Sequence, residues 1–587
     1  MNMTKIAAIL PLLLTGSAFA QDPFYSITEV TTATAGSSIT TSDGTTIIGP
    51  WALSISGDGT AISSLAVKSD WYHYFYMSPS GMDLAHRFHY DIPRKFLTGT
   101  NTNTYEAYSN WAATWFADLS ANTAQTYNVA SGSATAETDD AGIITKYGRD
   151  ETEVTSVGYV SLASHQRKAV ATIPNISSTA PNISSTAKDL TKDLTNGTDY
   201  AFASAYDIVP TSSGYLVVGT AGAQKATAYS YCYSNSTIAT YSAYCPGYQT
   251  QAAFWSVASD GTVTAPTLAT SYNTSESTNY PYTASGMSIA DVDGVYVAVG
   301  YSSTVGYSSV PKNLATFWNL GDGSLSAAPT TAAIFASSGD NPGTNDNGNT
   351  IDNSWAVGIN NNGYIVGNRV YRKRVSLNYP TQMFVAKFSS GTVSSSSLAV
   401  SLPSAKIGIP VSTSGVNSEA AALNNHDLVV GWTDERSDVS KPVYGSVPRL
   451  QEAFLYNINT GTRYAINDLI CSGAATCSQN GKYYYIEYAN GITDDGTIVA
   501  SARRFDNYSD WSTLSNGTSV VVRLNVSSST AFDSNYNVPF NYVITNQLPV
   551  FDYGASSGGG SFGIFGLLAM VGAAAVGQYR RFVKKAS

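Results

Sequence analysis

The sequence predicts an all-β, β-propeller-like repeat architecture, with seven blades expected within a range of six to eight. Two observations support this prediction. Charged residues make up only 12% of the 587-residue chain, which is instead rich in Tyr, Gly, Ser, Thr and Asn. Such a composition is typical of β-rich proteins with many turns. In addition, a two-part hairpin motif recurs along the chain.

The first half of the motif places a small residue before an Ile or Leu, followed by a polar turn and an apolar strand. In "WAVGINNNGYIVGN" (residues 355–368), "AVGI" and "YIVG" have strand character, and Ile359 is the anchor. The Asn and Gly residues of "NNNG" tolerate the positive φ of a tight hairpin turn. The same pattern surrounds further anchors at Ile55, Ile208, Ile289, Leu423 and Ile492.

The second half of the motif is an aromatic-centred strand that ends at another Gly turn, as in "QAAFWSVASDG", "LATFWNLGDG" and "EAFLYNINTG". From Ile208 onward, successive anchors lie 64 to 81 residues apart, whereas Ile55 and Ile208 are separated by about two such units. A degenerate copy is therefore expected near "ETDDAGIITKYG" and "SVGYVSLA". Units of this kind stack around an axis as a propeller or along one as a solenoid.

One segment departs from the β pattern. "YEAYSNWAATWFADLSANTA" (residues 105–124) places Tyr105, Tyr108, Trp115 and Leu119 at helical spacing. We interpret it as a small amphipathic helix inserted in the first blades, with its aromatic stripe used for packing.

The N-terminus has the features of a signal peptide over residues 1–20. Lys5 precedes an apolar run, and Ala18–Ala20 supply small residues before a cleavage site between Ala20 and Gln21. The expected partners of this segment are the export machinery and signal peptidase. The repeat domain is expected to occupy residues 21–553.

The C-terminus begins with a Gly/Ser spacer, residues 554–561, and continues in an apolar and basic tail, residues 562–587. The apolar part, residues 562–576, is short for a membrane-spanning helix. Cations that follow it are expected to hold the end in the cytoplasm during transient inner-membrane anchoring. The sorting residues are Gly558, Gly559, Gly560, Arg580, Arg581, Lys584 and Lys585.

This order of glycine motif, apolar helix and basic cluster resembles the GlyGly-type C-terminal sorting signal of Gram-negative bacteria. The resemblance implies that a rhomboid-like protease cuts the tail near Gly558–Gly560, which leaves the protein secreted or at the cell surface. The alternative is a plain C-terminal anchor.

The paired motifs "INNNGYIVG" and "EAFLYNINTG" resemble the HAF repeats of bacterial extracellular proteins, with Glu452, Ala453 and Phe454 as the best match to the second motif. Together with the early "FYSITEV", "INDLI" at 466–470 and the tail, the chain is similar to a gammaproteobacterial family of unknown function. The resemblance implies a surface or secreted propeller-like protein and carries over no catalytic residues.

The four cysteines form two close pairs, Cys232 with Cys245 and Cys471 with Cys477. In an exported protein such pairs indicate two local disulfides that each close a loop. A zinc site, the alternative, would favour tighter spacing and more ligands.

Metal and catalytic motifs are weak. "HRFH" (His86–His89) could ligate a metal if helical, and His426 is interpreted as a turn residue. The acidic turns "ADVDG" (290–294) and "NDNGNTIDN" (345–353) could hold Ca²⁺, although neither has the full spacing of a calcium loop. The turns "SGDGT", "ASDGT" and "TDDGT" are interpreted as structural. No catalytic or cofactor-binding residue is assigned.

A formal charge of −10 argues against nucleic acid as a partner. Aromatic and Asn/Asp-rich stretches such as "WYHYFY" (71–76) suggest stacking on sugar rings, with packing as the alternative. The leading hypothesis is therefore a non-enzymatic secreted or surface repeat protein that binds extracellular polymers or glycans. The alternatives are a secreted propeller hydrolase or lyase, which needs several carboxylates, Arg or His at the axis, and a structural envelope component.

Overall fold

The computed structural model comprises one compact unit, Met1–Pro549, and a separate unit, Val550–Ser587. The residues that the structure describes all belong to the first unit and are 22–30, 47–68, 125–130, 133–137, 143–162, 166–174, 186–190, 202–225, 248–272, 282–305, 311–335, 351–371, 381–394, 418–434, 451–471, 477–514, 516–528, 530–539 and 542. The predicted signal peptide, the helical insertion at 105–124, "WYHYFY" and the C-terminal spacer and tail lie outside these residues.

The secondary structure of the described residues is almost entirely β. In chain order, the strands are β1 Tyr25–Glu29, β2 Ile47–Ile55, β3 Ala61–Lys68, β4 Gln125–Ala130, β5 Ser133–Glu137, β6 Ile143–Tyr147, β7 Ser156–Leu162, β8 Gln166–Ile173, β9 Thr186–Asp189, β10 Phe202–Thr211, β11 Gly214–Lys225, β12 Tyr248–Ala258, β13 Thr267–Leu268, β14 Ala284–Val292, β15 Val295–Val305, β16 Pro311–Asn319, β17 Thr331–Ala333, β18 Ile351–Ile359, β19 Tyr364–Tyr371, β20 Thr381–Ser389, β21 Thr392–Ser394, β22 Ser418–Leu423, β23 Leu428–Asp434, β24 Gln451–Asn457, β25 Arg463–Ala465, β26 Ser478–Gln479, β27 Lys482–Ile492, β28 Ile498–Phe505 and β29 Thr518–Val526. Two short helices, α1 (Ile466–Leu469) and α2 (Tyr508–Thr513), accompany the last strands.

These strands form six hydrogen-bonded sheets, which divide into seven blades, a number within the predicted range of six to eight. Four sheets are four-stranded meanders, which we call blade 1 (β2–β5), blade 4 (β14–β17), blade 5 (β18–β21) and blade 6 (β22–β25). The eight-stranded sheet contains two further meanders, blade 2 (β6–β9) and blade 3 (β10–β13), joined by the parallel pair Phe202–Arg167. Blade 2 lies where the degenerate copy was expected.

The ring is closed by a sheet made from both ends of the described chain. This blade 7 has the strand order β1-β29-β28-β27-β26. Strand β1 runs antiparallel to β29, with Tyr25 opposite Val526 and Glu29 opposite Val522. The N-terminal strand therefore supplies the outer edge of the last blade.

The first strand of each blade has the same irregularity. A β-bulge interrupts its pairing with the second strand at Leu53, Thr145, Tyr206, Met287, Val357, Ala421 and Asn490, in β2, β6, β10, β14, β18, β22 and β27. Each of these strands also contacts the corresponding strands of two neighbouring blades. The seven first strands therefore surround the axis, and their bulges turn equivalent residues toward it.

The hydrophobic core lies between successive blades. Phe254 of blade 3 packs edge-on against Trp318 of blade 4, with ring centroids 5.9 Å apart. Both side chains are buried, as are the anchors Ile289 and Ile359. Burial of each large apolar side chain contributes about 1.5–3 kcal/mol. The aromatic position of the second half-motif is thus explained by packing against the adjacent blade.

The turn of the repeat differs in one respect from the sequence interpretation. Gly363 has a φ of +78°, as a tight turn requires, but none of Asn360–Asn362 has a positive φ. Instead, Asn360 Nδ2 donates to the Asn424 carbonyl at 2.9 Å, and Asn424 Nδ2 donates to the Thr493 carbonyl at 2.9 Å. The repeated Asn therefore ties blade 5 to blade 6 and blade 6 to the last blade.

Candidate functional site on the axis

The residue after each bulge lies immediately before the anchor position. We call these residues the axial ring: Ser54, Lys146, Asp207, Ser288, Gly358, Ala422 and Gly491. Blades 1 to 4 contribute polar or charged side chains, and blades 5 to 7 contribute only Gly or Ala. One side of the axis is therefore polar, and the other is lined by small residues.

A small cavity lies on the axis. The space that water-sized molecules can occupy in it is about 30 Å³, which is room for a few waters at most. The first strands of blades 1, 2, 4, 5, 6 and 7 line it, and its polar lining includes Lys146, Arg149, Ser288 and Asn490. Such a cavity is far smaller than the pockets of about 300–1,000 Å³ that enclose typical small-molecule ligands.

Asp207 is the centre of a polar network between blades 2, 3 and 4. Its side chain is fully buried, and its Oδ2 accepts hydrogen bonds from Lys146 Nζ at 2.8 Å and Ser288 Oγ at 2.7 Å. The same oxygen accepts the Ile289 N–H at 3.1 Å, while Oδ1 accepts the Ile208 N–H at 3.0 Å. This carboxylate is thus engaged on both oxygens.

Arg149 crosses the axis from the loop that follows β6. Its Nη1 donates to the Ile359 carbonyl at 2.6 Å, and its Nη2 donates to the Ile289 carbonyl. Nη2 also lies 3.6 Å from Asp207 Oδ2. The side chain is 18% exposed and that of Lys146 is 15% exposed. Arg149 therefore links blade 2 to the anchor residues of blades 4 and 5.

The electrostatics of the cluster keep Asp207 ionised. Its burial opposes the charge most strongly, but the neighbouring Lys146 and Arg149 charges and the hydrogen bonds from Lys146 and Ser288 lower its pKa below the ordinary aspartate value. A general acid or base needs a pKa close to the working pH. Asp207 is suited to holding blades together, and poorly suited to proton transfer.

Sequence reasoning did not single out Lys146, Arg149 or Asp207. A signal was present, because Asp207 and Lys146 occupy a position where the five other copies have Ser, Gly or Ala. A charged residue at one fixed position of an otherwise neutral repeat can be found by aligning the copies. Its partners could not be found that way, because they come from blades about 60 and 80 residues away.

The predicted turn residues lie in turns. His426 is in the turn between β22 and β23, where its ring stacks on Tyr536 with centroids 3.7 Å apart. Asp58 and Asp260 fold back within their own turns, accepting the N–H groups of Thr60 and Thr262. Among the described residues, no group of three or more His, Cys, Asp or Glu side chains is arranged to hold a metal.

The disulfide between Cys471 and Cys477 is confirmed. Both cysteines are buried next to α1, and the Cys471 carbonyl accepts a hydrogen bond from the Tyr542 hydroxyl. The other predicted pair, Cys232 and Cys245, lies outside the described residues, as do the predicted cleavage site at Ala20–Gln21 and the sorting residues.

An aromatic cluster in blade 7 lies where β27 begins and β28 ends, and it includes residues of α2. The ring centroid of Tyr508 is 5.9 Å from that of Tyr483 and 5.6 Å from that of Trp511. Trp511 is buried and donates its indole N–H to the Tyr484 carbonyl, whereas Tyr508 is 47% exposed. The cluster therefore presents one aromatic side chain to solvent on a rigid base.

The family described as "Protein of unknown function (DUF3466)" matches residues 3–546. The chain belongs to this family. No curated protein matches it. Across the part of this DUF3466 chain that the structure describes, no helix has the length and apolar character needed to cross a membrane.

Several solved structures have a distant similarity to the chain. A levansucrase mutant from Bacillus subtilis is 10% identical, with 64% of this chain and 92% of that chain covered and a TM-score of 0.26. A Trypanosoma rangeli sialidase is 7% identical, with coverage of 68% and 57% and a TM-score of 0.31. An α-L-arabinofuranosidase from Podospora anserina is 9% identical, with coverage of 60% and 91% and a TM-score of 0.24. At these values the similarities carry no argument about activity.

Proposed function

We propose that this protein is a non-enzymatic binding protein for extracellular polymers, with glycans as the leading ligand class. The proposal is carried by the observation that both carboxylate oxygens of Asp207, the buried acid at the axis, are engaged in hydrogen bonds. Glycoside hydrolysis generally uses two carboxylates that flank the scissile bond. The described residues that line the axial cavity include no carboxylate, and Asp207 beside it is occupied by Lys146, Ser288 and main-chain N–H groups.

The aromatic cluster of blade 7 supports the binding function. An exposed tyrosine held against a buried tryptophan offers a flat apolar face at low entropic cost, which suits stacking on a sugar ring. Polar groups surround it: Asp510 accepts from Asn507 Nδ2 at 2.8 Å and from Asn516 Nδ2 at 3.1 Å. The exposed Asn507 and Asn516 amides and the partly exposed Asp510 carboxylate are suited to hydrogen bonding with sugar hydroxyls.

Binding to a panel of neutral and acidic polysaccharides, followed by intrinsic tryptophan fluorescence, tests this function. We expect Tyr508→Ala to weaken binding at least about five-fold, as the loss of one stacked ring implies. Tyr272→Ala is the matched control, because Tyr272 is also exposed (37%) but follows β13 of blade 3, away from the cluster. Equal effects of the two variants would show that the aromatic cluster is not the binding site. Absence of binding to every polymer would contradict the proposed function.

A secreted hydrolase or lyase is the alternative. Lys146 and Arg149 at the axis are charged groups of the kind such an enzyme would use. Release of reducing sugars from the polymers that bind, abolished by Lys146→Met at a temperature where that variant is still folded by circular dichroism, would favour the enzyme over the binding protein.

We also propose that the chain is exported and that its tail is processed after membrane insertion. The signal-peptide pattern at residues 1–20 and the sorting-signal pattern at residues 554–587 support this. Mass spectrometry of the protein from culture medium should find an N-terminus at Gln21 and a C-terminus near Gly558–Gly560. An intact end at Ser587 would contradict the processing.

A further inference from the structure

We propose that the axial cavity binds one small monovalent anion, such as chloride. Two cationic side chains, Lys146 and Arg149, line the cavity, and the remaining described lining residues are neutral. Both cations are largely removed from solvent, which strengthens their attraction for a negative charge. The site lies outside the aromatic cluster and does not depend on polymer binding.

The size of the cavity selects the kind of anion. A space of about 30 Å³ accepts a monatomic ion, but is too small for a sugar carboxylate with its ring. At Gly491 of blade 7 a Cβ would lie 3.1 Å from Ile55 Cγ2 and from Val499 Cγ1, so packing disfavours a larger residue there. The small side of the axial ring therefore adds no charge to the cavity lining.

Two carboxylates in the loop between β6 and β7, which also carries Arg149, are bound to other partners. Asp150 accepts from the Thr152 N–H at 2.7 Å and from its hydroxyl at 2.6 Å. Glu153 accepts from the Tyr215 hydroxyl of blade 3. Asp207 is not part of the described cavity lining, but its Oδ2 accepts from Lys146 Nζ at 2.8 Å and lies 3.6 Å from Arg149 Nη2. Two cations and one carboxylate leave one net positive charge, which a single monovalent anion would balance.

Crystals of the full protein grown in sodium bromide provide the first test. We expect an anomalous bromide peak in the cavity, within contact distance of Lys146 Nζ and the Arg149 guanidinium. In solution, chloride should raise the unfolding midpoint compared with methanesulfonate at the same ionic strength. A cavity without an anomalous peak, or equal midpoints in the two salts, would overturn the proposal.

A pair of variants at Ala422 provides the second test. Ala422 is partly exposed and lines the cavity, so Ala422→Asp would add a carboxylate to the lining that Lys146 and Arg149 share, and Ala422→Asn is the uncharged control of the same shape. Without chloride we expect the Asp variant to unfold at a higher temperature than the Asn variant, and to have lost the response to chloride. A lower midpoint for the Asp variant would show that the cavity does not favour negative charge.

Discussion

Asp207 places a single negative charge in the interior of the ring. Replacing it with Asn should destabilise the protein at pH 7 by about 3–5 kcal/mol, because Lys146 and Arg149 would lose their buried counter-charge. Since the folded-state pKa of Asp207 is lowered, the stability it provides is present above the unfolded pKa of about 3.9 and is lost as the pH falls through the lower folded value.

Urea unfolding at pH values from 7 down to 2 measures this effect. The difference in unfolding free energy between wild type and Asp207→Asn should be largest near neutrality and should shrink below pH 4. Asp506→Asn is the control, since Asp506 forms a solvent-exposed ion pair with Lys482 and should change stability much less. A difference that does not vary with pH would assign Asp207 a purely steric role.

The asparagine of the repeat turn is a second single residue that joins neighbouring blades. Asn424 donates to the Thr493 carbonyl of the next blade and accepts the N–H groups of His426 and Leu428 at 3.0 Å each. Asn424→Ala should therefore cost about 1–3 kcal/mol in unfolding free energy, since buried groups lose their partners. Asn361→Ala is the matched control in an exposed turn position, and thermal unfolding of the two variants should separate them clearly.

At the scale of elements, the sequence predicts hairpins well and their connections poorly. The motif around Ile359 identified β18 and β19, because a strand-turn-strand pattern is local. The degenerate pattern near "GIITKYG" likewise identified the position of β6 and β7. The partner of β1 could not be predicted, since Tyr25 pairs with Val526 at the far end of the chain and no local pattern encodes such a distance. The axial network is hidden from sequence reasoning for the same reason.

Strand β1 is the element on which closure depends. Phe24, Tyr25 and Ile27 are buried against blade 7, and the Phe24 N–H donates to the Tyr542 hydroxyl at 2.8 Å. A chain that begins at Thr31 should lose this apolar burial and expose the edge of β29. We expect a lower unfolding midpoint and aggregation that increases with concentration, because an unpaired strand edge recruits other chains.

Rescue in trans distinguishes a missing strand from a damaged fold. A peptide of residues 22–31 should add to the free edge of β29 and restore the midpoint, as in β-strand addition. A scrambled peptide of the same composition is the control. If the shortened chain is as stable as the full one, or if both peptides act equally, β1 does not close the ring.

At the scale of the whole molecule, closure converts a linear array of repeats into a ring in which every blade has two neighbours. In an open array the end units lose one interface and unfold first, whereas a closed ring has no ends. We therefore expect the amide protons of β2 and β27, the first strands of blade 1 and blade 7, to be protected from hydrogen exchange as strongly as those of β18 in blade 5.

The chain that begins at Thr31 lacks one strand of the closing sheet, so protection should fall first in β27 and β28 and least in β18. The Asn361→Ala variant serves as the control, because it should leave the exchange pattern of blade 7 unchanged. Uniform loss of protection across all blades in the shortened chain would mean that the ring unfolds as one cooperative unit, and that β1 stabilises every blade equally.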